Sequence, residues 1–265
     1  MEAKVITITS GKGGVGKTTA TANIATALAM AGNTVVALDA DIGLRNLDVM
    51  MGLENRIVYD LVDVVEKRCR LRQALIRDKR FPNLFLLPAA QTRDKSAVQP
   101  ADLIRVCEEL RPEVNFILID SPAGIEHGFH TALAPADEVL VITTPEVAAV
   151  RDADRVIGLI EAQEKGPVKL IINRIKPEMV AKGDMLTVED VLEILAVDLV
   201  GIVPEDTSII VSANKGVPVV LDHSSPSGQA FKNIASRLLG KEVPFMELKG
   251  RENILDRLSK LFRFQ

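Results

Sequence analysis

The sequence predicts an α/β fold with a doubly wound, mostly parallel sheet of about seven or eight strands and helices on both faces. Short runs of Val, Ile and Leu alternate with longer helical stretches, and several runs are apolar on both faces, as in buried parallel strands. A glycine-rich turn also connects the first run to a helix. We predict strands at residues 4–9, 34–39, 84–88, 116–120, 138–143, 168–173 and 198–203.

Five helices are predicted between these strands, at residues 17–30, 100–110, 148–163, 188–195 and 227–239. The first ends at Gly32, which favours the left-handed conformation of a helix C-cap. The second begins with Pro100 in its first turn and stops before Pro112. Ligands of such sheets bind beyond the carboxyl ends of the strands, so functional residues are expected directly after strands.

The composition is that of a folded protein that needs no disulfide bonds for stability. The chain has 265 residues, of which 47% are hydrophobic and 26% charged, and its formal net charge is −4. This length buries a sizeable core, and the charge does not favour nucleic acid as a partner. We predict one domain over residues 1–240, a tether over 241–250 and a separate amphipathic helix over 251–265.

Residues 11–19, here called the phosphate loop, follow the first predicted strand and read G-K-G-G-V-G-K-T-T. They match G-x-x-x-x-G-K-[ST] between a strand and a helix, which predicts a P-loop NTPase fold. Glycines let backbone N–H groups approach phosphate oxygens, and the helix N-terminus attracts the same anion. The predicted nucleotide-binding residues are Gly11, Lys12, Gly13, Gly14, Val15, Gly16, Lys17, Thr18 and Thr19.

Carboxylates follow two further strands. Asp39 and Asp41 lie at the end of the second strand, and Asp120 ends the apolar run I-L-I-D in the pattern of a Walker B strand. One such carboxylate can support Mg²⁺ while another orients the attacking water. We predict that the metal site consists of Thr18, Asp39 and Asp120.

The nucleotide base is predicted between Asn173, which ends the sixth strand, and Pro204 and Glu205, which follow the seventh. A side-chain amide can both donate to and accept from a base edge. The N-K-x-D pattern of a common guanine site is absent, because residues 173–176 read N-R-I-K.

Lys12 is a second lysine in a loop that needs only one. The run K-G-G-V-G-K-T resembles the deviant-Walker-A family of P-loop ATPases. The resemblance implies a slow, partner-stimulated ATPase that uses Mg²⁺ and forms an ATP-dependent homodimer, with Lys12 reaching the other subunit's nucleotide. It also implies that Lys12, Lys17 and Asp41 are catalytic, that Asp41 positions water, that Asp39 lies behind the metal, and that Asn173 selects adenine.

Four segments narrow the resemblance to the septum-site-determining members of that family in bacteria and chloroplasts. They are D-A-D-I-G-L-R-N-L-D over 39–48, D-S-P-A-G-I-E over 120–126, T-P-E over 144–146, and the C-terminal helix. This implies recruitment of a division inhibitor, release by an activator of hydrolysis, and cycling between the cytoplasm and the inner face of the cytoplasmic membrane or chloroplast inner envelope. Flagellar-number and chromosome-partition ATPases, and a non-enzymatic nucleotide-gated adaptor, stay open as alternatives.

The last fifteen residues are predicted to anchor the chain reversibly to an anionic membrane. Five apolar side chains fall within an arc of about 120°, and three basic ones lie outside it, where they can meet lipid headgroups. One short helix binds weakly, but two on a dimer gain about 10²–10⁴ in avidity. The apolar residues are Ile254, Leu255, Leu258, Leu261 and Phe262, and the basic ones are Arg257, Lys260 and Arg263.

Two charged segments have no assigned role. The basic stretch over residues 67–80 is interpreted as a solvated surface. The run R-D-A-D-R over residues 151–155 is either an exposed charged face or a surface for a partner.

Overall fold

The computed structural model describes residues 2–246, which form an eight-stranded sheet. The strand order is β3-β4-β2-β5-β1-β6-β7-β8, and all neighbours are parallel except β3 and β4. The predicted doubly wound, mostly parallel fold is therefore confirmed. The strands are β1 (Lys4–Thr9), β2 (Val35–Asp39), β3 (Ile76–Arg77), β4 (Leu84–Leu87), β5 (Phe116–Asp120), β6 (Glu138–Thr143), β7 (Val168–Ile175) and β8 (Asp198–Pro204).

Eleven α-helices accompany the sheet in the described residues, and none is long and apolar enough to cross a membrane. Short 3₁₀ turns occupy residues 54–56, 95–97 and 219–221. The helices are α1 (Lys17–Met30), α2 (Leu47–Met51), α3 (Leu61–Val65), α4 (Leu71–Ala74), α5 (Pro100–Leu110), α6 (His127–Leu133), α7 (Val147–Glu161), α8 (Pro177–Val180), α9 (Val188–Leu195), α10 (Thr207–Asn214) and α11 (Pro226–Leu238).

The sheet is covered on both faces. Helices α1 and α11 pack on one face through side chains such as Ile24, Leu28 and Phe231. Helices α5, α7 and α9 pack on the other, through side chains such as Leu103 and Val156. The carboxyl ends of the central strands β1, β2 and β5 are therefore flanked by helices, and the phosphate loop begins at that edge.

All seven predicted strands and all five predicted helices are present, with ends within two residues of those predicted. The prediction missed the two-residue strand β3 and six helices of four to eight residues: α2, α3, α4, α6, α8 and α10. Such segments are too short to show a hydrophobic period. Two of them, α2 and α10, contribute residues to the wall of the cleft described below.

Residues 241–246, the first part of the predicted tether, lie against the domain. The guanidinium of Arg237 donates to the carbonyls of Val243 (3.0 Å), Pro244 (2.9 Å) and Val200 of β8 (2.9 Å), and it stacks on the ring of Phe245. The rest of the tether and the predicted helix over 251–265 lie outside the described residues.

Candidate active site

The phosphate loop joins β1 to α1 and is held from two sides. Gly16 has φ 104°, in the left-handed region that favours glycine. A Cβ on Gly16 would overlap the amide nitrogen of Asn173 in β7, and a Cβ on Gly11 would overlap the backbone carbonyl of Asp152 in α7. Close packing therefore requires glycine at positions 11 and 16, and the backbone turn requires it at position 16 as well.

Lys17 is almost fully buried, with 8% of its surface exposed, and its Nζ donates to Ser10 Oγ at 3.0 Å. Burial lowers the pKa of Lys17, while the negative charges of Asp120 and Asp41 act in the opposite direction. A cation buried beside carboxylates and glycine amides is suited to bind a phosphate group.

Asp39 and Asp120 are register partners on the adjacent strands β2 and β5, and both are buried. Burial raises the pKa of Asp39 to about 7. Burial, followed by the charge of Asp39, raises the pKa of Asp120 to about 8, although hydrogen bonding from Thr18 opposes this. Two neighbouring buried carboxyls with a hydroxyl beside them form a donor set that suits a divalent cation such as Mg²⁺.

The two carboxyls have different surroundings. Asp39 accepts hydrogen bonds from the backbone N–H groups of Asp41 (2.9 Å), Asn46 (3.2 Å) and Leu47 (3.2 Å), so it organises the loop after β2. Asp120 accepts from the hydroxyls of Thr18 and of Thr21, the latter at 3.3 Å. This geometry fits the prediction that Asp120 lies nearer to a bound metal ion than Asp39 does. Asp39 would then support the site from behind, through the backbone of the loop after β2.

Asp41 lies just after β2 and lines the cleft beside Lys17. Its Oδ1 is buried and accepts no hydrogen bond from the described residues. Burial raises the pKa of Asp41, and the positive charges of Lys95 and Lys17 partly offset this. A buried acceptor without a donor is costly, so this oxygen fits a hydrogen-bond donor from outside the chain, such as a water molecule.

Lys17, Thr18 and Asp41 line an open cleft of about 1070 Å³, here called the phosphate cleft. This volume is at the upper end of the range for small-molecule sites. The far wall is formed by α2 and the chain after α10, which Arg80 joins by donating to the carbonyls of Met51 (2.7 Å) and Gly216 (3.3 Å). Six predicted nucleotide-binding residues line the cleft: Gly13, Gly14, Gly16, Lys17, Thr18 and Thr19.

The other predicted loop residues lie around the cleft. Gly11 packs against α7, and Val15 is buried under the loop with 4% of its surface exposed. Lys12 is exposed, and its carbonyl accepts a hydrogen bond from Ser10 Oγ at 2.8 Å. The role of Lys12 toward a second subunit stays a prediction.

The three residues predicted to contact the base do not line the phosphate cleft. Asn173 is buried beneath the phosphate loop, and its amide donates to the carbonyl of Val15 at 2.7 Å. Glu205 is exposed, with its carboxylate 4.0 Å from Arg174 Nε, and Pro204 ends β8. Contact of Asn173, Pro204 and Glu205 with the base therefore stays a prediction.

Sequence reasoning missed several residues of the site. Ser10 and Thr21 contact Lys17 and Asp120, and the local sequence could have shown them, because Ser10 precedes the loop and Thr21 follows Lys17 by one helical turn. Asn46 and Arg80 also line the cleft. Arg80 lies far from the loop in sequence, so no local pattern indicates it.

Three of the seven basic residues in the stretch over 67–80 form ion pairs. Arg68 pairs with Asp63 and Glu66, Arg72 pairs with Glu113, and Arg80 pairs with Asp78. The stretch therefore presents less free positive charge than its sequence suggests.

A glycine loop between a strand and a helix, a buried lysine and strand-end carboxylates together define a P-loop NTPase. The sequence matches the family described as the CobQ/CobB/MinD/ParA nucleotide binding domain over residues 6–219. It is 53% identical over 253 residues to the septum site-determining protein MinD of a Synechocystis strain, and the match covers 95% of each chain. It is 51% identical over 248 residues to MinD of Bacillus subtilis, covering 93% of this chain and 92% of that protein.

Solved structures agree with this assignment. The MinC:MinD cell division protein complex of Aquifex aeolicus contains a chain with a TM-score of 0.87 and 50% identity, covering 94% of this chain and 100% of that one. MinD of Pyrococcus horikoshii, complexed with Mg-ADP, has a TM-score of 0.80 and 30% identity, covering 89% of this chain and 96% of that one. The chain belongs to the MinD family of septum site-determining ATPases, and its role is in placement of the division site.

Proposed function

We propose that this chain is an ATP-driven switch that positions the division site at a membrane. ATP binding joins two copies into a homodimer, the dimer binds the inner face of the cytoplasmic membrane (or of the chloroplast inner envelope), and hydrolysis releases it. The observation that carries the proposal is the buried Lys17 ammonium facing Asp41 and Asp120 at the phosphate cleft.

The chain supplies positioning and charge rather than covalent chemistry, as phosphoryl transfer requires. Lys17 and the loop amides bind the phosphates and stabilise the negative charge that develops on them. Asp41, through its unpartnered Oδ1, orients the attacking water. Thr18 and Asp120 would hold Mg²⁺, with Asp39 behind them, at a place where the ion would supply positive charge against the phosphates.

Lys12 is proposed to act on the nucleotide of the other subunit. Its side chain is exposed on the outer side of the loop, while Lys17 already occupies the buried position. If this positive charge reaches the nucleotide only in the dimer, rapid hydrolysis requires dimer formation. The monomer would then be a slow ATPase, and a MinE-like activator would stimulate the dimer.

A MinC-like inhibitor is the proposed cargo of the membrane-bound dimer. The support is the similarity to the MinD chain of the Aquifex aeolicus MinC:MinD complex. Co-sedimentation of purified MinC with vesicles tests this proposal, because MinC should pellet only when this chain and ATP are both present. Pelleting of MinC with ADP to the same extent would contradict it.

Vesicle co-sedimentation of the full chain tests the membrane switch. Wild-type protein is expected to pellet with anionic vesicles in ATP, and to stay in the supernatant in ADP or without nucleotide. Leu258→Glu should abolish pelleting and leave nucleotide binding intact. Ser259→Glu is the matched control, because it adds the same charge one position away but removes no predicted apolar contact. Equal pelleting in ATP and ADP would contradict the switch.

A further inference from the structure

We propose that Ser10 is a positioning residue, whose hydroxyl holds the Lys17 ammonium in place before the phosphates bind and leaves its positive charge intact. Ser10 lies outside the G-x-x-x-x-G-K-[ST] pattern, which begins at Gly11. The proposal rests on the phosphate loop being the phosphate site, and it concerns how the lysine of that site is prepared for its ligand.

The Ser10 hydroxyl makes two hydrogen bonds of opposite direction. Its Oγ donates to the backbone carbonyl of Lys12 at 2.8 Å and accepts from Lys17 Nζ at 3.0 Å. A hydroxyl has one proton to donate, so the bond to Lys12 uses that proton and leaves a lone pair of the oxygen for Lys17. Ser10 is fully buried, so bulk water does not compete for either bond.

The ammonium is held by a neutral oxygen rather than by a carboxylate. Within the described residues, Lys17 Nζ donates a hydrogen bond to Ser10 and to no other residue. The charges of Asp41 and Asp120 act on this ammonium without forming a salt bridge to it in that part of the chain. A carboxylate partner would cancel the positive charge, and a phosphate would have to displace it. An ammonium has three N–H donors, so two remain for phosphate oxygens.

The alternation of β1 brings Ser10 to Lys17. Successive side chains of a strand point to opposite faces of the sheet. Ile6 and Ile8 belong to the core that includes α1, and Ser10 continues that face to the start of the helix, where Lys17 is the first residue. The same alternation places Thr9 on the other face. The Thr9 hydroxyl is also fully buried, but it makes no hydrogen bond within residues 2–246.

An ordered Lys17 side chain should increase the affinity for phosphate. A lysine side chain has many rotamers, and ordering it when a ligand binds costs conformational entropy. Because the bond to Ser10 orders the side chain in the free protein, nucleotide binding does not carry that cost. Loss of the Ser10 hydroxyl should therefore weaken binding even if Ser10 does not contact the nucleotide.

The affinity of Ser10→Ala for ADP with Mg²⁺, measured by calorimetry beside wild type, tests this role. We expect the affinity to fall about tenfold or more, as for loss of a hydrogen bond to a charged group. Ser10→Thr keeps the hydroxyl and should bind ADP nearly as tightly as wild type. Unchanged affinity in Ser10→Ala, or an equal loss in Ser10→Thr, would overturn the proposal. If Ser10→Ala does not fold, Ser10→Cys takes its place, because a thiol is only a weak acceptor.

Thr9→Val is the matched control at the adjacent position. It removes a buried hydroxyl with little change in side-chain volume, and because that hydroxyl makes no hydrogen bond within the described residues, ADP affinity should not change. A loss equal to that of Ser10→Ala would show that the bond to Lys17 is not the cause, and the proposal would fail.

Lys17→Ala, measured in the same assay, separates the role of Ser10 from the assignment of the phosphate site. We expect Lys17→Ala to lose ADP affinity at least as strongly as Ser10→Ala does. Wild-type affinity in Lys17→Ala would show that the site itself is wrongly assigned. A loss in Lys17→Ala together with no loss in Ser10→Ala would contradict the role of Ser10 alone and leave the site in place.

Discussion

Gly11 of the phosphate loop packs against the backbone carbonyl of Asp152 in α7 so closely that no Cβ fits between them. The contact joins the loop to a helix whose residues Arg151, Asp154 and Arg155 are exposed. The first residue of the loop therefore cannot gain a side chain unless the loop or α7 moves.

Gly11→Ala is expected to reduce ADP affinity by at least tenfold, because the added methyl group displaces the loop from the geometry that binds phosphate. Isothermal titration calorimetry measures the effect. Gly158→Ala in α7 is the control, since a Cβ there would meet nothing within 4 Å in the described residues and Gly158 does not line the cleft. Equal ADP affinity of the two variants would show that the Asp152 contact does not constrain the loop.

Substitution of the two loop lysines should distinguish nucleotide binding from dimer formation. Lys17→Ala should abolish hydrolysis, by a factor of about 10² or more, and weaken nucleotide binding, because the buried ammonium is lost. Lys12→Ala should keep nucleotide binding and lose ATP-dependent dimerisation or activator-stimulated hydrolysis, because Lys12 is exposed. Phosphate release and fluorescent-ADP binding measure both effects. Normal turnover by Lys17→Ala would contradict the site assignment.

The Asp206 side chain links the starts of α10 and α11 by hydrogen bonds. It should make the free energy of unfolding depend on pH in the acid range. Its carboxylate accepts from Ser208 N (2.8 Å), Ser225 Oγ (2.6 Å) and Ser227 Oγ (2.8 Å). Burial raises the pKa of Asp206, but these hydrogen bonds outweigh it and lower the pKa to about 2, from 3.8. The stabilisation is therefore complete above pH 3.8 and is lost as pH falls through about 2.

Asp206→Asn is expected to lose about 1–2 kcal/mol of unfolding free energy at pH 7, as for the loss of a helix N-cap. The difference from wild type should shrink as pH falls from about 4 toward 2. Urea unfolding at several pH values measures it, with Asp198→Asn as an exposed control. A difference that stays constant down to pH 2 would show that the Asp206 charge is not the cause.

Arg237 should determine the mobility of residues 241–246. Arg237→Ala removes three hydrogen bonds to carbonyls and the stacking on Phe245, so we expect a loss of about 1–3 kcal/mol of unfolding free energy. Amide hydrogen exchange in residues 241–246 should rise far more than elsewhere. Lys232→Ala on the same helix is the control, because within residues 2–246 the one hydrogen bond of Lys232 Nζ is to His223, at 3.5 Å. Unchanged exchange in Arg237→Ala would contradict this assignment.

Much of the site could be predicted because a phosphate group is bound by residues that lie only a few positions apart in the sequence. The loop over 11–19 and the strand-end Asp39, Asp41 and Asp120 are visible in the sequence for that reason. The contacts that hold the site are not, because they join distant residues: 158 positions separate Asn173 from Val15, and 136 separate Arg80 from Gly216. Helices as short as α2 and α10 are likewise set by tertiary packing rather than by a local period.

The molecular mass of Asp41→Ala in solution tests the central claim most directly. Without the carboxylate that orients water, the variant should bind ATP and hydrolyse it slowly, so the ATP-bound dimer should persist. Multi-angle light scattering should give twice the monomer mass with Mg²⁺ and ATP, and the monomer mass with Mg²⁺ and ADP. The same mass with both nucleotides would contradict an ATP-driven dimer switch.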